Sequence, residues 1–172
     1  MVVVRKQIGP QRYREIFGRH YEEFEVGDVY EHRPGRTLTE SDNINFTLLT
    51  MNTHPLHFDA NYASKSEFGK MLMNSTLTLA IVTGMSVSDV SHLSIANLGW
   101  KEIRLLAPVF AGETIYAETE VLEKRLSKSR PNAGIVGVKT TGKKADGTVF
   151  LDFQRTVLVP KQGHAVEDLI ED

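Results

Sequence analysis

The chain of 172 residues contains no cysteine, which excludes disulfide bonds, thiolate nucleophiles and cysteine-ligated zinc or iron–sulfur centres. This composition is typical of a reducing cytoplasm, the compartment that we predict for the protein. An excess of positive charge is also missing, because 20 Lys and Arg residues stand against 22 Asp and Glu residues and give a formal net charge of −2. We therefore expect neither a nucleic acid nor an anionic membrane as a partner.

Long apolar runs are absent as well. Charged residues follow the N-terminal valines at once, whereas a secretory signal needs an apolar core of about 7–15 residues. The least polar stretch, residues 71–85, contains an asparagine, a serine, threonines and a glycine, and is too short and too polar to cross a bilayer. We predict one domain over residues 21–160, preceded by an extension of residues 1–20 and followed by a tail of residues 161–172.

The pattern of apolar residues predicts two helices near the middle of the chain and strands around them. Residues 24–30 predict a short first strand that ends in a turn at residues 33–35, Arg-Pro-Gly. Thr39 and the acidic residues after it predict the start of a helix that Pro55 ends. Residues 74–90 predict a second helix, which is apolar on nearly all sides and therefore buried. Four further strands are predicted over residues 94–106, 114–126, 135–143 and 149–159.

Helices grouped ahead of a run of strands indicate an α+β fold with an antiparallel sheet. We predict a hot-dog fold, in which a curved sheet of about five strands wraps around one long central helix. The edge of such a sheet is open, and pairing across a two-fold axis would cover it. The predicted assembly is therefore a homodimer, or a larger oligomer built from dimers.

A polar cluster lies at the bend around Pro55, where Asn52, His54, His57 and Asp59 fall within eight residues. Because the proline interrupts the helix, Asn52 and His57 can project toward one point from either side of the bend. An imidazole titrates near pH 6.5, so His57 is a candidate acid and base. A single histidine in a bend is more often only a hydrogen-bonding or surface residue. A metal site is disfavoured, since the proline separates the two histidines and no second cluster supplies further ligands.

The segment from Asn52 to Asp59 resembles the hydratase signature Asp-x-Asn-Pro-Leu-His-x-Asp of the MaoC-like, (R)-specific enoyl-CoA hydratases. Segments that begin at Phe68 and at Arg104 resemble two later motifs of that family, in the same order and at compatible spacing. The three motifs together cover residues 20–160. The residues around Asn52 are also similar to a MaoC subgroup that acts on branched C4–C5 dicarboxylyl-CoA thioesters, such as mesaconyl-CoA and methylmalyl-CoA.

The resemblance implies a hydro-lyase that reversibly adds water to a 2-enoyl-CoA thioester. CoA would then be part of the substrate, and no separate cofactor or metal is expected. The family's motif makes His57 the acid and base and places Asn52 beside it as the second catalytic residue. The amide at the start of the central helix would hydrogen-bond the thioester oxygen, which suits the unpaired amides of a helix N-terminus. The substrate-binding residues implied in this way are Ser75, Asn74, Asp59 and His54.

Two departures from the signature leave the mechanism open, since Asn52 replaces its aspartate and His54 its asparagine. An amide can orient water but cannot act as a base. Either His57 alone moves the proton, or Asp59 or a distant carboxylate assists, or activity is lost; we favour the first. A thioesterase is an alternative, disfavoured because the central helix offers only Asp89 near its far end, and a non-catalytic acyl-CoA-binding module is another. A carboxylated acyl group would need a cation, for which the candidates are Arg104, Lys101, Arg36 and Arg19.

Overall fold

The computed structural model describes residues 5–170. Its strands are β1 (Arg5–Gly9), β2 (Arg12–Glu15), β3 (Val29–Thr37), β4 (Ala96–Leu105), β5 (Thr114–Leu126), β6 (Ala133–Lys144) and β7 (Val149–Pro160). Its α-helices are α1 (Glu40–Leu49), α2 (Ala60–Ala63), α3 (Ser75–Met85) and α4 (Val166–Leu169). Within residues 5–170, no helix is long and apolar enough to cross a membrane.

Strands β3 to β7 form one five-stranded sheet in the order β3-β5-β6-β7-β4. All four pairings are antiparallel. A tight turn joins β6 to β7, and there Gly147 has a φ of 88°, a conformation that suits glycine. The sheet packs on α3, so the predicted α+β hot-dog arrangement of five strands and a central helix is confirmed. The four later strands lie within two residues of their predicted ends.

Helix α3 begins where the sequence predicts it. Asn74 is its N-cap, and its side-chain oxygen accepts a hydrogen bond from the amide of Thr76. The α-helix ends at Met85 and continues as a π-helical turn over Val87–Ser91. The apolar core between α3 and the sheet contains mostly aliphatic and aromatic side chains, among them Leu77, Val82, Ile115, Phe150 and Phe153.

Burial of α3 is confined to the side that faces the sheet. Thr76, Ala80 and Gly84, spaced four residues apart, are exposed within the described structure. The prediction that the helix is buried on nearly all sides is therefore wrong for this face. Its apolar composition alone did not indicate which side would contact the sheet.

The first strand of the sheet also differs from its prediction. We predicted a strand over residues 24–30 and a turn at residues 33–35, but β3 spans Val29–Thr37 and passes through Pro34. The pairing of β3 with β5 is irregular between His32 and Arg36. Proline is tolerated here because β3 is an edge strand and the irregularity needs no amide donor from it.

Both ends of the described chain pack beside each other. Residues 5–15 form the antiparallel hairpin β1–β2, whereas residues 1–4 of the predicted N-terminal extension lie outside the described residues. The ring of His20 lies 2.9 Å from a carboxylate oxygen of Asp168, which belongs to the short helix α4. The predicted extension and tail are therefore joined by this contact.

Candidate active site

The polar bend predicted around Pro55 is a compact turn. A 3₁₀ helix spans Pro55–His57, and His54 is its N-cap, with Nδ1 accepting the amide of Leu56 at 3.2 Å. The side-chain oxygen of Asn52 accepts the amide of His54 at 3.0 Å. Asn52 is partly buried and His54 is exposed. These local bonds hold the bend in shape and bring His57 back toward the body of the domain.

His57 is half-buried, and its Nδ1 lies 2.9 Å from the carbonyl oxygen of Leu72. A carbonyl oxygen can only accept a hydrogen bond, so Nδ1 donates and carries the proton in the neutral ring. Nε2 then keeps its lone pair. This tautomer is the one that a general base requires.

Ser75 is the first residue of α3. Within residues 5–170 the amide of Ser75 has no hydrogen-bond acceptor, whereas the next amide, that of Thr76, is capped by Asn74 at 3.0 Å. A free amide at a helix N-terminus also lies at the positive end of the helix dipole. It is suited to stabilise negative charge on a substrate oxygen.

Asn43, on α1, connects these two parts of the site. Its side chain is 1% exposed and donates from Nδ2 to the carbonyl of His57 at 2.8 Å and to that of Leu72 at 3.0 Å. Its Oδ1 accepts the amide of Asn74 at 2.8 Å. Asn43 is not among the site residues predicted from the sequence. The available signal was the pair Asn43 and Thr47, two polar residues four apart and therefore on one side of the predicted helix; both are buried in α1.

A pocket of about 290 Å³ opens between the start of α3, the segment that follows β4, and β7. Leu72, whose carbonyl holds the ring of His57, lines this pocket together with Ser75. Thr78 also lines the pocket, and its hydroxyl donates to the carbonyl of Ser75 at 2.9 Å. The other side chains are mainly apolar and include Phe68, Leu106, Val109 and Phe150. Such a pocket is suited to an acyl chain whose reacting end lies at the helix start.

Two other predicted site residues have structural roles. Asp59 is exposed and is the N-cap of α2, where its Oδ1 accepts the amide of Tyr62 at 3.0 Å. Asn74 is buried, and its side chain caps α3 and donates to the hydroxyl of Thr47 at 3.3 Å. The ring of His57 is thus held by the carbonyl of Leu72, three residues before Ser75, whose amide begins α3. The substrate contacts of Asp59, Asn74 and His54 stay predictions.

Most of the cations considered for an acyl carboxylate are already paired within the fold. Arg104 makes two hydrogen bonds to Asp152, at 2.8 and 2.7 Å. Arg36 lies 2.5 Å from a carboxylate oxygen of Asp42. Arg19 lies 2.8 Å from a carboxylate oxygen of Asp89. No such ion pair is formed by Lys101 within residues 5–170.

Asp89 is the carboxylate that was considered for a thioesterase. It lies in the π-helical turn after α3, whereas Ser75 lies at the start of α3. A hydrogen bond from His32 and the Arg19 guanidinium hold the pKa of Asp89 below its usual range, although partial burial opposes them. Its two oxygens lie 3.2 Å from Nδ1 of His32 and 2.8 Å from Arg19. Among the described residues, no cluster of three or more His, Asp or Glu side chains is arranged to hold a metal ion.

The family of the MaoC like domain matches residues 23–144. A β-methylmalyl-CoA dehydratase of Chloroflexus aurantiacus is 30% identical over 83% of this chain and 45% of that protein. A mesaconyl-CoA hydratase of Haloarcula marismortui is 30% identical over 88% of this chain and 42% of that protein. The chain therefore spans less than half the length of these relatives.

A solved structure from Mycobacterium tuberculosis with a double hot-dog fold superposes with a TM-score of 0.78 at 23% identity. The match covers 87% of this chain and 47% of that one, so this chain corresponds to one of its two hot-dog units. This likeness shows the fold alone. With the family match extending over most of the sheet and all of α3, the chain belongs to the MaoC-like domain family.

Proposed function

We propose that this protein is an acyl-CoA hydratase/dehydratase, a hydro-lyase that reversibly adds water to a 2-enoyl-CoA thioester. The observation that supports the proposal most strongly is the pairing of a base and an anion donor. His57 has its proton fixed on Nδ1 by the Leu72 carbonyl, and the amide of Ser75, which has no acceptor among residues 5–170, begins α3 three residues after Leu72. The names of the two relatives support the same reaction class.

The proposed reaction needs one base and one oxyanion donor. Nε2 of His57 removes a proton from water while the water oxygen attacks the β-carbon of the enoyl group. The electron pair displaced from the double bond moves to the thioester oxygen, and the amide of Ser75 stabilises the resulting negative charge. Nε2 then returns its proton to the α-carbon on the same face. Dehydration follows these steps in reverse.

Asn52 takes a water-orienting role in this proposal. Its amide cannot remove a proton, but it can both donate to and accept from water. Its Oδ1 already accepts the amide of His54, so the Nδ2 group is the part that remains for water. A single-base route therefore does not need the aspartate of the family signature.

The acyl group proposed from the relatives' names is a branched C4–C5 dicarboxylyl chain. The described walls of the pocket supply apolar side chains and two hydroxyls, and three of the four candidate cations are paired elsewhere. None of the four is among the described residues that line this pocket, and Lys101 lines a separate pocket with Gln154. A carboxylate on the acyl group would thus have to be met by a cation from outside this pocket, in this subunit or another. A panel of substrates with and without that carboxylate decides between these acyl groups.

The test is to incubate the protein with crotonyl-CoA and with mesaconyl-CoA, following the enoyl absorbance and the release of free thiol in parallel. We expect loss of enoyl absorbance without thiol release, and a loss about 10²–10⁴-fold slower in the His57→Ala variant. Thiol release would support a thioesterase instead. Measurable CoA binding with neither reaction would support a non-catalytic binding module.

We also propose that the protein forms a homodimer through the open edge of the sheet at β4. Leu98, Trp100, Ile103 and Leu105 on this strand are all about half exposed within the described structure. The Mycobacterium tuberculosis structure combines two hot-dog units in one chain, which supports a second copy in the corresponding place. Sedimentation should give a dimer that Trp100→Glu weakens and that Leu169→Glu, a change at an exposed site on α4, leaves intact. The cytoplasmic location stays a prediction.

A further inference from the structure

We infer that Asn43 is a positioning residue that holds both the base, His57, and the oxyanion donor, the amide of Ser75, in place. This inference rests on the proposed function, because it concerns the same His57 and Ser75. Asn43 is one of the few polar side chains in the described structure that are almost fully buried, with 1% of its surface exposed. A buried amide is costly unless its hydrogen bonds are made.

The carboxamide of Asn43 has a partner for each of its groups. The two N–H groups of Nδ2 point to two carbonyl oxygens, those of His57 and Leu72, and Oδ1 accepts the amide of Asn74. A flipped carboxamide would place its oxygen against two carbonyls and its N–H groups against an amide. Only one orientation is therefore satisfied, and the side chain acts as a rigid connector between the three segments.

The consequence for His57 concerns its tautomer. Asn43 fixes the Leu72 carbonyl that accepts the Nδ1 proton, and it also fixes the backbone of His57 through that residue's own carbonyl. Without these bonds the Leu72 carbonyl would turn toward other donors. The ring would then bear its proton on Nε2 in part of the molecules, and in that form Nε2 cannot accept a proton from water.

The consequence for the oxyanion donor follows from the next segment. Asn43 accepts the amide of Asn74, the residue just before Ser75. That amide therefore does not compete with the amide of Ser75 for the substrate oxygen. The same bond holds the peptide between Met73 and Asn74, just before α3, in place. The base and the donor are thus kept at a constant separation, on which the placement of the reacting atoms depends.

The experiment compares Asn43→Ala with Asn45→Ala, a matched change at an exposed position on the same helix. We expect Asn43→Ala to lower kcat by about 10²-fold through misplacement of the reacting groups, with KM changing much less. In ¹⁵N NMR of the resting protein, the Nδ1 and Nε2 shifts of His57 should move toward a mixture of tautomers. The pH profile of kcat should broaden with them. Asn45→Ala should leave all of these unchanged.

A variant that fails to fold does not end the test. In the unaltered protein, the two Nδ2 protons of Asn43 should give separate resonances that exchange slowly with solvent. Fast exchange, or wild-type His57 shifts and kcat in a folded Asn43→Ala variant, would overturn the inference. Inactivity toward every enoyl-CoA would contradict the proposed function. The NMR measurements need no substrate, so they would still test the role of Asn43.

Discussion

Replacing Ser75 by proline isolates the contribution of one backbone amide. Proline lacks the N–H group, and it is well tolerated at the first position of a helix, where that group has no intrahelical partner. Ser75 occupies this position. The preceding residue, Asn74, has φ −61° and ψ 125°, an extended conformation that a following proline favours. The structure therefore predicts that Ser75→Pro folds normally.

The expected loss of activity follows from the role proposed for the amide. Removal of one oxyanion donor typically lowers kcat by about 10²–10³-fold, or about 2.7–4 kcal/mol in the transition state. Ser75→Pro should show a loss of this size in the enoyl-CoA assay, with a melting temperature close to that of the unaltered protein. Since the donor acts mainly on developing charge, kcat should fall far more than KM rises.

Two control variants separate the amide from the side chain. Ser75→Ala removes the hydroxyl and keeps the amide, and Ser75→Val keeps the amide while adding bulk to the wall of the pocket. Both should retain most of the turnover. If Ser75→Pro is folded and turns over as fast as Ser75→Val, the oxyanion role of this amide is refuted.

Three further changes test separate parts of the account. His57→Ala should lower turnover by about 10²–10⁴-fold in the same assay, and wild-type turnover would rule out this histidine as the base. Asn52→Asp should lower turnover, measured on crotonyl-CoA, because a carboxylate loses the amide donor that orients water; a gain would favour the two-residue scheme of the family. Burial alone would lower the pKa of His20, but the hydrogen bonds and charges of Asp168 and Glu23 outweigh it and raise that pKa. The contact with Asp168 therefore contributes stability below about pH 6.5 and loses it as the pH rises through the folded-state pKa. An NMR titration should show the pKa of His20 falling in Asp168→Asn, and an unchanged value would contradict this.

The elements that the sequence predicted well are those with local signals. Thr39 is the N-cap of α1 and forms a capping box with Asp42. Both residues lie within one turn of the start of the helix, so the signal is local. Buried and less buried side chains alternate along much of β5, and turn residues separate β5 to β7, namely Pro131 and Asn132 in the first connection and Gly147 in the second. The turn predicted at Pro34 failed because pairing with β5 decides the course of the chain there, and that pairing involves residues 114–120, far away in sequence.

The site was predictable only in part for the same reason. His57 could be found because its neighbours in sequence form a recognisable motif at a bend. Its hydrogen-bond partner could not, since the backbone carbonyl of Leu72 lies 15 residues later and carries no side-chain signal. Asn43 is likewise 31 residues from the Asn74 amide that it accepts. The pairing of Arg104 with Asp152 spans 48 residues and joins two adjacent strands. Long-range contacts of this kind depend on the assembled sheet.

A crystal structure of the protein with a bound 3-hydroxyacyl-CoA tests the central claim most directly. The account predicts that the thioester oxygen lies about 2.7–3.2 Å from the amide nitrogen of Ser75, with the 3-hydroxyl oxygen at hydrogen-bond distance from Nε2 of His57. A thioester oxygen held by a different donor, or a hydroxyl group that faces away from this ring, would contradict it.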